Sequence, residues 1–542
     1  MGWGCEWWKR RALLSFDLCL ESHKMVQQLV RRAEFMLVLA YASDLATGQT
    51  RDFALRSSVL AMRLARAAGL SEAEFRNVYH LALLRYIGCN ADTHLLTALF
   101  GDEHELRRDV ALNLGDPAER PGVLRRAITR AHIAAGTADV AAAVETDMAS
   151  APQVTRSILA GHCEVAKRIG QRLGLSPDIQ SNLGQLYERW DGKGMPYGIN
   201  GNAVRLAVRL VTLAQDAIIH AEASGIDGMV EVITRRRDGA YEAELADVFL
   251  ARPNDFLDGL AEEASHAAIL SMEPQPHASL TTDECEDAYL AIADMIDMRM
   301  PSTMGHSRAV ADLADRAARH MKLPERDICT LRRAAYVHDI GELAIPVARW
   351  QRSKPFLGRE IDEMRLHPYH GERALAALTG QNGEVAALVL RHHERINASG
   401  YHRKVTGNDL SPAARLLAVA EAYRSACEAR PHRASATEAT AAGRMREAVR
   451  AGELCPDATA AVLAVAGQGS RRDKSERLAG LSAREIEVLR LIISGLTAKA
   501  AAEQLDIAPK TAENHIQNLY SKIGVTTRAG AALFAIENGL AN

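Results

Sequence analysis

Ala334-Ala-Tyr-Val-His338-Asp339-Ile340-Gly341 follows a stretch that reads Ala314-Asp-Arg-Ala-Ala-Arg-His-Met-Lys-Leu323-Pro-Glu-Arg326. The same plan stands upstream: Leu64-Ala-Arg-Ala-Ala-Gly-Leu70-Ser-Glu-Ala-Glu74, then Leu81-Ala-Leu-Leu-Arg85-Tyr86-Ile87-Gly88. Further along, Tyr187-Glu-Arg-Trp-Asp-Gly-Lys-Gly-Met-Pro196 echoes His393-Glu-Arg-Ile-Asn-Ala-Ser-Gly-Tyr-His402. Arg209-Leu-Val-Thr-Leu-Ala-Gln215 echoes Arg415-Leu-Leu-Ala-Val-Ala-Glu421. Matching elements in matching order argue for duplication.

The rest of the chain frames these repeats. At 542 residues it is too long for one core, and about 150 residues per domain gives three or four units. Alanine and leucine are abundant, aromatics amount to 5%, and most segments show helical apolar spacing. An all-α fold is expected. The expected divisions are an N-terminal extension at 1–24, the first repeat at 25–270, a linker at 271–282, the second repeat at 283–466, a linker at 467–477 and a last domain at 478–542. The linkers are read from the polar, proline-bearing run Ser271–Ser279 and from the flexible Gly467–Arg477.

Net charge is −3, so no global basic field points to nucleic acid, and any such contact needs a local surface. Eight scattered cysteines without a C-x-x-C pair read as reduced thiols of a cytoplasmic chain. No apolar run reaches the ~18 residues of a membrane span. Near the N-terminus, Lys9-Arg10-Arg11 precedes a short apolar run that Asp17 interrupts, which speaks against a secretory signal. Met25 is an alternative start.

The second repeat gathers His306, the pairs His338-Asp339 and His392-His393, His367 before Pro368, and Glu421 on an apolar helix. Imidazole and carboxylate without thiolate suit Fe, Mn or Zn at a hydrolytic site. Two divalent ions about 3.5–4 Å apart could share Asp339, activate a water and polarise a phosphoryl oxygen.

His338-Asp339-Ile-Gly341 with Ile345-Pro346, His367-Pro-x-x-Gly371, His392-His393-Glu394-Arg395 and Ser399-Gly400-Tyr401-His402 resemble the signatures of the HD-GYP phosphohydrolases, which cleave cyclic di-GMP. The resemblance covers about residues 285–465. It implies that His306, His338, Asp339, His367, His392, His393 and Glu421 ligate two metals, with His338 and Asp339 at the catalytic centre. It also implies that Arg430 and Arg433 meet ligand phosphate. Six positions depart from the family pattern. Glu342 stands for the signature lysine, Ile396-Asn397-Ala398 for W-D-G, His402 for the final proline and Glu421 for the usual aspartate. A carboxylate at 342 would repel the anion that an ammonium would stabilise.

The first repeat has lost the ligands. Arg85-Tyr86 replace the His-Asp pair, Leu186-Tyr187 the His pair and Gln215 the acidic residue; the counterpart of His306 lies near Phe53, and only His162 corresponds to His367. It is expected to be a scaffold, with uncleaving ligand sensing as the sharper alternative.

The last domain begins at Leu481-Ser482-Ala-Arg-Glu485-Ile486, a capping box with a hydrophobic staple. Pro509 suits the first position of a third helix on which Ala512, Ile516, Leu519 and Ile523 face inward. Lys510, Thr511, Asn514, His515, Asn518 and Lys522 are left outside, a polar face nearly free of acid that suits a major groove. Gly524 ends that helix and a fourth runs to about Asn538. Leu-Ser-x-Arg-Glu, Gly-Leu-Thr, Lys-Thr-x-Glu-x-His and Tyr-x-Lys-Ile-Gly-Val resemble the LuxR-type helix-turn-helix. That resemblance implies double-stranded DNA as partner, contacts from Lys510, Thr511, His515, Asn518 and Lys522, and a homodimer paired through the fourth helix. The expected function is a transcription regulator whose HD-type domains sense or hydrolyse a phosphate ligand such as cyclic di-GMP. The alternatives are a phosphodiesterase localised on DNA and a non-catalytic scaffold.

Overall fold

The computed structural model describes residues 30–50, 52–113, 117–352, 356–467 and 480–541. The N-terminal extension, Met25 and nearly all of the 467–477 linker lie outside the described residues. The fold is all-α, as expected, with one pair of two-residue strands among the described residues.

The first repeat opens with β1 (Val30–Arg31) and α1 (Arg32–Thr47), then α2 (Phe53–Ala67), α3 (Glu72–Leu84), the 33-residue α4 (Val140–Arg172) and α5 (Leu206–Arg236). The second opens with β2 (Ser279–Leu280) and α6 (Thr282–Asp297), then α7 (His306–His320), α8 (Glu325–Val337), α9 (His367–Ala374), α10 (Gln381–Val389) and α11 (Pro412–Cys427). Local chemistry sets several of these starts. Ser71 and Glu74 form a capping box on α3, Thr281 and Glu284 another on α6, and Ser411 caps α11 ahead of Pro412.

Two packing features recur in both repeats. A Cβ at Gly88 would run into the carbonyl of His162, and a Cβ at Gly341 into the carbonyl of His367. The turn after the second core helix of each repeat therefore needs glycine for close backbone approach. The later loops match too. Glu188 accepts from the amides of Tyr197 and Ile199, at 2.8 and 3.1 Å. Glu394 accepts from those of Arg403, Lys404 and Val405, at 2.7, 3.0 and 3.1 Å. In each repeat a buried carboxylate holds the loop by its backbone donors.

The repeats are not separate bodies. β1 pairs antiparallel with β2, Val30 opposite Leu280, and Phe35 of α1 meets Tyr289 of α6 edge-on at 5.1 Å. The 271–282 segment, expected to be a linker, is held in place: Arg31 pairs with buried Glu273, Nε to carboxylate 2.9 Å. Most of its other polar residues, from Gln275 to Thr282, are exposed.

The last domain comprises α12 (Ala483–Ile493), α13 (Ala498–Gln504), α14 (Pro509–Ile523) and α15 (Arg528–Glu537). The Ser482–Glu485 capping box, Pro509 at the start of α14 and left-handed Gly524 at its end are all present. One continuous apolar core runs through both repeats into this domain. No helix among the described residues is long and apolar enough to cross a membrane.

Candidate metal centre and DNA-binding face

The seven residues singled out in the second repeat converge. His306 begins α7, His338 and Asp339 follow α8, His367 begins α9, His392 and His393 follow α10, and Glu421 projects from α11. All are buried except His393, which is partly so. Two groups that could hold a metal share Asp339: His306, His338 and Asp339 form one, and Asp339, His367, His392 and His393 the other, with ligand atoms within 4.8 Å of one another.

Asp339 divides its two oxygens between the groups. Oδ2 lies 3.6 Å from His306 Nε2 and 3.1 Å from His338 Nε2. Oδ1 lies 3.8 Å from His367 Nε2 and 3.6 Å from His392 Nε2. Glu421 Oε2 joins the first group, 2.9 Å from His306 and 3.2 Å from His338.

The imidazoles are aimed by backbone. His338, His367 and His392 each turn Nδ1 to the carbonyl three residues earlier, those of Ala335, Met364 and Val389, at 2.9, 2.7 and 2.5 Å. With Nδ1 taken up, Nε2 points inward, as ligating imidazoles require. His306 turns Nδ1 to Glu428 instead, at 2.7 Å.

The protonation pattern divides in the same way. Burial works against the imidazolium, yet Glu421 and Glu428 hold His306 well above its usual range, and Asp339 and Glu421 hold His338 up at about 10. Burial would raise Asp339 and Glu421, but the facing histidines keep both well below the usual carboxylate range. Burial, together with His392, pushes His367 down to about 3 and holds His393 well below the usual imidazole range. The carboxylates are thus ionised, and His367 and His393 of the second group are neutral. Those are the forms that bind a cation.

Glu342, the charge reversal noted in the sequence, is partly buried. Burial and the Asp339 charge push its carboxyl up to about 8, against the pull of Arg430 and Arg299. Near neutral pH the reversal is muted, because the group is mostly the neutral acid.

Arg430 donates to Glu428 at 3.1 Å and to the Ser302 carbonyl at 2.7 Å. Arg433 donates to the Ser425 carbonyl. Glu428 thus links Arg430 to His306. The sequence reading missed Glu428, as well as the loop-holding Glu188 and Glu394. Its one signal was a carboxylate two residues ahead of Arg430.

In the first repeat the same position is filled differently. Tyr187 Oη lies 3.2 Å from His162 Nδ1 and 3.0 Å from Cys89 Sγ, and His162 Nε2 is 3.1 Å from the Ala91 carbonyl. Among the described residues, neither metal-competent group includes a residue of this repeat.

On α14, Lys510, Thr511, Asn514, Asn518 and Lys522 are exposed and His515 half-buried. Two partners were not foreseen. Lys510 pairs with Glu513 at 2.9 Å, an acid on the same side, and Lys522 with Glu485 at 2.8 Å. Helix α15, expected to be a dimer surface, packs on α4. Glu164 accepts from the Thr526 amide at 3.2 Å and from the Thr527 hydroxyl at 2.7 Å, and Arg168 donates to the Gly524 carbonyl at 2.8 Å. Gly161 permits close approach, since a Cβ there would sit 3.1 Å from that of Ala529.

Comparison with known proteins agrees with this division. Residues 291–453 match the HD domain family, and residues 479–535 match the bacterial regulatory proteins of the luxR family. The 3'3'-cGAMP-specific phosphodiesterase 3 of Vibrio cholerae is 25% identical over 418 residues, covering 74% of this chain and 88% of that protein. The cyclic di-GMP phosphodiesterase response regulator RpfG of Xanthomonas campestris is 28% identical over 234 residues, covering 42% of this chain and 59% of that protein. The transcriptional regulatory protein MctR of Rhizobium johnstonii is 43% identical over 60 residues, covering 11% of this chain and 28% of that protein. A crystal structure of a Vibrio cholerae cyclic GMP-AMP-specific phosphodiesterase superposes with a TM-score of 0.55 at 21% identity, over 81% of this chain and 98% of that one. That likeness shows the fold. The chain carries an HD domain and a C-terminal LuxR-family domain, and its relatives include cyclic dinucleotide phosphodiesterases.

Proposed function

We propose that this chain is a DNA-binding regulator whose second repeat binds two divalent cations, of Fe, Mn or Zn type, and cleaves a cyclic dinucleotide phosphodiester. The observation that carries the reading is the division of Asp339 between two ligand groups, one completed by His306, His338 and Glu421 and the other by His367, His392 and His393. When bound, two cations supply a nucleophilic water and Lewis-acid stabilisation of phosphoryl oxygens.

The protein's own contribution is orientation and charge. The Ala335, Met364 and Val389 carbonyls fix three imidazoles before any ligand arrives, which removes reorganisation from the reacting step. Glu428 orients His306 and holds Arg430 at the edge of the centre. From there a guanidinium can turn to a phosphate, which it matches better than any other side chain.

DNA binding is assigned to the exposed side of α14 through Thr511, His515 and Asn518, with Lys510 and Lys522 reaching phosphate once they leave Glu513 and Glu485. Pairing of two copies through α15 requires that helix to leave α4. The HD repeats thereby control the regulator domain by holding its dimer surface.

Purified full-length protein, loaded with Mn and incubated with cyclic di-GMP or 3'3'-cGAMP, should yield linear dinucleotide, and Asp339→Asn should abolish the product. No cleavage of either substrate by metal-loaded protein would refute the catalytic reading.

A further inference from the structure

The first repeat lacks metal ligands, yet it holds a cavity of about 610 Å³ beside Tyr86 and Tyr187, the residues that replace ligands. That is the size range of sites for nucleotide-sized small molecules. Arg85, Arg107, Arg120, Arg156, Arg189 and Lys193 line it, against the acids Glu188 and Asp216. Both acids are engaged: Glu188 by the Tyr197 and Ile199 amides, and Asp216 by the Tyr241 hydroxyl at 2.7 Å. Arg189 is paired with Asp191 at 2.6 Å, and the remaining lining cations still outnumber the two acids; Leu96, Phe100 and Leu106 supply apolar walls.

Three lining side chains carry polar atoms with no partner in the protein. They are Nε and Nη1 of Arg85, which is only 7% exposed, and the hydroxyls of Thr155 and Thr212. A buried guanidinium and two hydroxyls without acceptors cost free energy unless something else bonds them. Their common need is an acceptor-rich anion. A guanidinium fork with hydroxyls nearby matches phosphate oxygens, and the tyrosine rings and apolar wall match a base.

We propose that this cavity binds a phosphate ester of nucleotide size, held by Arg85 and neighbouring arginines without metal, and leaves it uncleaved. Its placement gives the site a consequence. Thr155, Arg156 and His162 of α4 line the cavity, while Gly161, Glu164 and Arg168 of the same helix hold the regulator domain. The ligand would rest on the helix that carries the DNA-binding domain.

The test uses full-length Asp339→Asn protein in EDTA, so that neither metal nor hydrolysis at the second repeat contributes. Isothermal titration with cyclic di-GMP, 3'3'-cGAMP and GMP should show at least one of the three binding once per chain. In that background Arg85→Gln should weaken binding at least tenfold. Arg156→Ala, at an exposed position, should weaken it severalfold with an unchanged melting temperature, and it decides the matter should Arg85→Gln fail to fold. No binding of any of the three, or binding that both substitutions leave intact, overturns the proposal. Hydrolysis by the wild-type second repeat is measured separately and stands or falls without it.

Discussion

The two repeats share a scaffold and differ in what that scaffold is asked to hold. Gly88 and Gly341 make the same close approach to His162 and His367, and Glu188 and Glu394 hold the same loop. Around His367, polar ligands converge on Asp339. Around His162, the Tyr187 hydroxyl, itself bonded to Cys89, and the Ala91 carbonyl take up the ring. The fold therefore does not depend on the metal ligands. Glycine contacts and loop-holding carboxylates set the backbone, and the ligand positions are free to carry chemistry or to lose it.

The largest expected contrast is catalytic. Asp339→Asn should slow phosphodiester cleavage by about a thousandfold or more, since it removes the residue common to both ligand groups. Tyr86→Phe, at the matching position, should leave the rate within about twofold in the same assay. A large loss from the tyrosine change would mean that the repeats share one active site.

Next comes the shared scaffold. Gly341→Ala and Gly88→Ala should each destabilise by about 3 kcal/mol, because a Cβ at either place meets backbone carbonyl rather than a movable side chain. Thermal or denaturant unfolding reads both. A destabilisation confined to Gly341→Ala would break the claim of equivalence.

Acid should then expose the first repeat. Burial holds His162 down at about 3, so the native state refuses a proton that the unfolded chain accepts near 6.5. This contribution is intact above pH 6.5 and is lost as pH falls through that value toward 3. By pH 5 the loss amounts to about 2 kcal/mol. His162→Gln should flatten the dependence of stability on pH between 7 and 5 by about that amount, whatever it does to stability at pH 7. An unaltered slope would mean that the ring is not held neutral.

The smallest effect concerns docking. Glu164→Ala removes the acceptor for Thr526 and Thr527 and should weaken docking of α15 by about 1–2 kcal/mol. Hydrogen exchange in α15 should quicken while α7 and α8 stay protected. Unchanged exchange in α15 would show that its apolar face alone holds it.

Much of this was legible in the sequence because it is local. The capping box at Ser482–Glu485, Pro509 at the start of α14 and Gly524 at its end are short-range signals, and the structure has them all. The set His306, His338, Asp339, His367, His392, His393 and Glu421 was legible through the signature motifs that carry it, and the structure brings these side chains together. Long-range pairing was not. Nothing local marks Glu428 as the partner of His306, Glu485 as that of Lys522, or Arg31 as that of Glu273. The docking of α15 on α4 was also hidden, because an apolar helix face reads the same whether it waits for a second copy or packs on its own chain. In the 271–282 segment it is the single buried Glu273 that ties the chain to Arg31, while the exposed polar residues around it read as a linker would.

The central claim is that Asp339 holds two cations at once in one repeat and that the other repeat holds none. Counting metal by mass spectrometry on full-length protein loaded with Mn and then desalted tests it directly. Two ions per chain are expected in the wild type, about one in His306→Ala and none in Asp339→Asn, with Arg85→Gln unchanged at two. One ion in the wild type, or two retained in Asp339→Asn, would contradict it.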